Sequence, residues 1–105
     1  MGRIPKRYSR FLEDYPKVGD AYESLGAAVS HAGPLAPRER ALIKIGVSAG
    51  ARMEGALKSH VRKAVEPGAT AEEIRHAILQ ATTTIGFPNM MAVMSWADGV
   101  LAQDD

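Results

Sequence analysis

The 105-residue sequence contains no cysteine. Disulfides, thiolate metal sites, cysteine nucleophiles and redox pairs are thereby excluded together. Its three histidines, His31, His60 and His76, show neither HxxxH nor HExxH spacing, so no metal and no other cofactor is expected. Neither GxGxxG nor GxxxxGK[ST] occurs, and with them go the loops that cradle phosphates. No apolar run approaches the roughly 20 residues needed to span a bilayer. The basic first residues lead into no hydrophobic segment of the secretory type, so a cytoplasmic location is expected. Charge of one sign is also missing. The net charge of +1 gives no electrostatic reason to expect nucleic acid or a membrane surface as a partner. Finally, no stretch alternates at period two and no segment repeats, which points to an all-α fold.

What is present is organised by proline, glycine and helical periodicity. Residues 1–10, "MGRIPKRYSR", form a basic arm without periodicity, and residues 11–105 read as one domain. After a break at Pro16, Val18, Tyr22, Leu25 and Val29 fall on one helical face. Gly33–Pro34 stops that helix and Pro37 opens the next, whose body is "RERALIKIGVSAGA". A break near Gly50 to Arg52 leads into "GARMEGALKSHVRKA", closed by Pro67 and Gly68. Thr70 and Glu73 form a capping box, which predicts a helix from Ala71 to Gly86. Its expected buried stripe is Ile74, Ala77, Ile78, Ala81 and Ile85. Pro88 starts the last helix, giving five or six in all. Residues 41–51 carry one charge, Lys44, and residues 90–97 have Ser95 as their one clearly polar group. A helix apolar on every side is buried on every side, so a homo-oligomer is expected.

His60 is the first candidate for chemistry. It shares a helical face with Met53, Ala56, Leu57 and Ala64, and its ordinary pKa lies where a general acid or base must work. A lone histidine on such a face is equally a hydrogen-bonded core residue. Lys44 is the second candidate. Arg40, Lys44 and Ser48 follow one another at i+4, and the lysine either reaches solvent or faces a polar cavity where it holds a carboxylate. His76, Gln80 and Thr83 form another ridge. The β-branched run Thr82–Thr83–Thr84 weakens its helix, which suggests a use for the hydroxyls, and Thr83 and Thr84 join the candidates for substrate binding. Met90, Met91 and Met94 with Trp96 read as core or interface filler.

"GPLAPRERALIKIGVSAG" and "SHVRKAVEPGATAEEIRHAILQATTTIGFPNMMA" resemble the carboxymuconolactone decarboxylase family, which includes the alkylhydroperoxidase D proteins. The shared frame is His60, Ala64, Gly68-Ala69-Thr70, Glu72-Glu73-Ile74, Gly86 and Pro88. The resemblance implies a compact alkylhydroperoxidase D-like helical fold assembled as trimers or hexamers. The family's redox branch places a Cys-x-x-Cys pair and a glutamate where this sequence has Met53, Ala56 and Ala41, so thiol peroxidase chemistry is not expected. The decarboxylase branch needs no cysteine or cofactor. It implies a lyase acting on a small carboxylated molecule, such as a lactone. His60 is then the proton donor, with Lys44, Arg40 or Arg62 binding carboxylate. That branch commonly has a glutamate at the place of Ala56 and an aromatic residue at Thr84–Ile85, and these departures leave the lactone itself unassigned. The alternative is a non-catalytic binding or assembly subunit.

Overall fold

The computed structural model of the chain describes residues 6–103, and no strand occurs among them. Seven helical segments follow in order: α1 (Lys6–Asp14), α2 (Pro16–Ser30), α3 (Pro37–Gly50), α4 (Glu54–Ala64), α5 (Ala71–Leu79), α6 (Thr82–Ile85) and α7 (Phe87–Gln103). The all-α expectation holds, and α6 is no more than a single turn. The chain that the sequence reading treats as one domain divides into two compact units, with the boundary between Leu35 and Ala36.

The first unit is a helical hairpin. Helix α1 begins at Lys6, so the second half of the expected basic arm is helical; residues 1–5 of that arm lie outside the described residues. Pro16 disfavours helical geometry at the residue before it, and Tyr15 accordingly sits at φ −135°, ψ 67° between the two helices. The helices meet at Gly19, the one buried residue of α2. A Cβ there would lie 2.5 Å from Leu12 Cδ2, so the absent side chain is what admits the leucine. The periodic face of α2 is apolar as expected but uncovered: Val18, Tyr22, Leu25 and Val29 are 55–63% exposed.

The second unit is a ring of four helices, in which α3 packs on α4 and α5, and α7 packs on the same two. Ile45 and Ala49 from α3, Leu57 and Val61 from α4, Ile74 and Ile78 from α5, and Val93 and Ala97 from α7 are wholly buried between them. These positions recur at three or four residues along each helix, which places one apolar stripe per helix on the common core. Helix starts are fixed locally. Pro37 occupies the first turn of α3, and the Ala36 N–H donates to the Glu39 carboxylate at 2.9 Å. At α5 the predicted capping box is complete: Thr70 Oγ1 accepts from the Glu73 N–H at 3.0 Å, and Glu73 Oε1 accepts from the Thr70 N–H at 2.9 Å.

One predicted element is corrected. The helix expected over 71–86 stops at Leu79, and Thr82–Ile85 forms the separate turn α6. The Thr82 hydroxyl donates to the Leu79 carbonyl at 2.7 Å, satisfying a group that the next helical N–H would otherwise take. The three successive β-branched residues add to the cost of continuing the helix. Of the expected stripe, Ile74 and Ile78 are buried, whereas Ala77, Ala81 and Ile85 are only partly so. Gly86, at φ 93°, then reverses the chain into α7, a conformation costly for any residue with a Cβ.

Candidate functional site

The ring of α3, α4, α5 and α7 sets where each candidate side chain emerges. On α4, Leu57, Val61 and Ala64 point into the core. His60 sits at the edge of that face and is half-buried. No hydrogen bond reaches its ring among the described residues, which separates it from a satisfied core histidine. Its pKa is lowered, first by the loss of solvent around the ring and then by the positive charges of Lys63 and Lys44. Both causes disfavour the imidazolium, so His60 is neutral near pH 7.

Lys44 is therefore electrostatically close to His60, although it belongs to α3 and is itself exposed. Arg40 lies one turn earlier on α3 and is half-buried, and Ser48, one turn later, is 5% exposed. Arg40, Lys44 and Ser48 share one side of α3 by their spacing, and of the three Lys44 is the one whose charge acts on His60. Lys63 is an addition that the sequence reading missed. Its spacing of three residues from His60 on one helix was the available signal.

Other candidates lie elsewhere. Arg62 is two residues from His60, hence about 200° around the helix, and lines a separate cleft between α4 and α7. Thr84 lines a small groove of about 190 Å³ with Gly46 and Gly50 from α3 and Gln80, just past the end of α5. Thr83 is exposed on α6. His76 borders a shallow groove with Glu72, Glu73, Arg75 and Leu79. Among the described residues no three His, Asp or Glu side chains converge on a position that could hold a metal ion.

The sequence pattern of the carboxymuconolactone decarboxylase family matches residues 16–99. The chain belongs to this family. An uncharacterized protein of Haemophilus influenzae is 32% identical over 61 residues, covering 58% of this chain and 54% of the relative. The chain thus spans about half the length of that curated relative.

Family membership makes three other positions informative. Ala41 is packed against the core, Ala56 is half-buried one turn before His60, and Met53 is 57% exposed at the start of α4. These are the places where the resemblance puts the redox glutamate and cysteine pair, and none carries a reactive side chain. Beside them stands Arg52, the one non-glycine residue with positive φ among those described, at 54°. Its Nη1 donates to Asn89 Oδ1 at 2.7 Å, and its guanidinium lies 5.9 Å from the centre of the Trp96 ring. Arg52 therefore ties the α3–α4 turn to α7. Such a backbone costs about 1–3 kcal/mol, a cost that these two contacts offset.

Proposed function

We propose that this member of the carboxymuconolactone decarboxylase family is a cofactor-free lyase acting on a small carboxylated molecule, with His60 as its general acid/base. The observation that carries this reading is the state of His60: half-buried, without a hydrogen-bond partner among the described residues, and held neutral beside two lysines. A structural histidine has its ring nitrogens satisfied; this one is available to a ligand. Lys44 supplies a cation for a substrate carboxylate, and Arg40 extends the same ridge. The charge of the bound carboxylate offsets the lysines and raises the His60 pKa, so the imidazole gains a proton as substrate arrives. Departure of carbon dioxide breaks one C–C bond and leaves its electron pair on the substrate as an enolate or carbanion. His60 delivers one proton to that carbon and recovers one from water.

The second reading, a non-catalytic assembly subunit, draws on the uncovered apolar faces. Val18, Tyr22, Leu25 and Val29 on α2 and Ile43 and Val47 on α3 are all about half exposed or more, which supports a homo-oligomer, trimeric or hexameric, under either reading.

A thermal-shift screen of small carboxylic acids and lactones tests the choice, because a ligand that binds only the folded state raises its melting temperature. The lyase reading expects at least one hit whose turnover releases carbon dioxide and is lost in His60→Ala. Stabilising ligands that are never turned over would favour the binding-subunit reading.

A further inference from the structure

Opposite the His60 face of α4, a cleft of about 270 Å³ runs between α4 and α7, lined by Lys58, Arg62, Ser95, Trp96, Gly99 and Gln103 among others. We infer that this cleft is a binding site for a small monocyclic aromatic carboxylate, gripped by Arg62 and stacked on Trp96. The cleft shares no residue with the His60 group, so the inference stands apart from the proposed lyase activity.

Three observations converge on it. Lys58 and Arg62 are one turn apart on α4 and both half-buried at the cleft. Lys58 is neutralised within its own helix by Glu54, whose Oε2 is 2.7 Å from Nζ. Arg62 has no ion pair or hydrogen bond among the described residues. A half-buried guanidinium presents five donors in a rigid fork, and a carboxylate fits that fork with two parallel hydrogen bonds. The second observation is the wall. Trp96 is half-buried and is tied to the α3–α4 turn by Arg52, which limits its motion and offers a flat π surface. The third is the rim. Gly99 is exposed where it lines the cleft, and a Cβ there would meet nothing within 4 Å, so α7 puts no side chain over this part of the opening. A cavity of about 150 Å³ already accommodates benzene, so the cleft, at about 270 Å³, has room for one ring and its carboxylate.

Trp96 is the one tryptophan in the sequence, and its fluorescence reports on the cleft directly. Benzoate titrated into the full chain is expected to change Trp96 emission saturably. Cyclohexanecarboxylate, which keeps the charge and loses the π face, is expected to bind several-fold more weakly. Arg62→Gln should raise the benzoate Kd at least ~10-fold, the ratio that corresponds to one charge-assisted contact. Gly99→Leu places a side chain over the opening and should abolish saturation while the far-UV spectrum stays helical. Arg10→Gln, on the distant sequence of α1, should leave the titration unchanged. Absence of a saturable response up to ~10 mM benzoate, about −3 kcal/mol of binding, would overturn the inference. So would a response that survives Arg62→Gln undiminished, and that variant decides the matter even if Gly99→Leu fails to fold.

Discussion

Replacing His60 by alanine separates the two roles a histidine can have on α4. The ring is half-buried and receives no hydrogen bond among the described residues, so its removal strands no partner. Roughly 50 Å² of ring leaves the protein interior, which at about 25 cal/mol per Å² amounts to ~1 kcal/mol. Alanine returns about 0.5 kcal/mol through its better helix propensity. The net loss at pH 7.5 should be about 1 kcal/mol or less. A satisfied core histidine would instead cost roughly 2–4 kcal/mol through a cavity and an orphaned partner. The pH dependence adds a second, independent sign. Because the folded pKa of His60 lies below the ordinary 6.5, the unfolded chain takes up the proton first. The stability contributed by keeping the ring neutral is therefore complete above about pH 6.5 and is lost as pH falls toward the folded value. His60→Ala has no such loss, so the gap between parent and variant should narrow between about pH 7.5 and 5.5. Urea melts at both pH values, paired with size-exclusion chromatography, make the measurement. A variant more than ~2 kcal/mol less stable, or one that no longer assembles as the parent does, would refute the site reading of His60.

Three further outcomes follow from other parts of the molecule. Ile78→Ala empties a wholly buried position at the centre of the four-helix unit and should cost about 2–5 kcal/mol in a chemical melt; a loss below ~1 kcal/mol would mean that α5 is not seated on that core. The Glu73 carboxyl receives the Arg38 guanidinium and the Thr70 N–H, which bring its pKa from 4.5 down to about 2. Its contribution to stability is present above pH 4.5 and lost as pH falls from there toward about 2, so Glu73→Gln should flatten the acid limb of the stability profile, and an NMR titration should find the Glu73 carboxylate ionised at about pH 3.5. Tyr22→Glu places a charge in the apolar stripe of α2 and should shift the parent's assembly toward monomer in light scattering; a parent that is already monomeric at micromolar concentration would contradict the expected oligomer.

The legible parts of this fold are those set by short-range chemistry. Pro16, Pro37 and the Thr70–Glu73 box each act within one helical turn, and the helix starts fall at or beside them. The α5 stripe was legible because Ile74 and Ile78 recur at helical spacing, whereas α3 and α7, apolar on every side in sequence, each bury one face and leave Ile43, Val47 and Met91 about half exposed or more. The break after Leu79 was harder. The threonine run announced weakness, but nothing local announced the contact that marks the end of α5, the Thr82 hydroxyl on the Leu79 carbonyl. Site geometry depended on pairs far apart in sequence. Lys44 is electrostatically close to His60 because α3 packs on α4. By contrast, Arg62, two residues from His60, is sent to another face by helical rotation alone. That separation could have been drawn from periodicity. The link from Arg52 to Asn89 and Trp96 could not, since nothing local marks a partner 37 residues away.

The helical hairpin bears on what the protein must do to fold at all. In α2 a single residue, Gly19, is buried, while four large side chains of one stripe remain more than half exposed. Burying such a side chain fully contributes about 1.5–3 kcal/mol, and fixing one residue of backbone costs about 1–2 kcal/mol. A hairpin with this balance does not hold itself together; its stripe needs cover. The four-helix unit carries an apolar surface of a different composition, with Ile43 and Val47 one turn apart on α3 and 48% and 63% exposed. A second copy of the chain is one source of that cover, since an apolar stripe of this size left open to water marks an interaction surface. Light scattering on the parent and on Tyr22→Glu tests this, because a charge in the stripe weakens whatever apolar contact covers it.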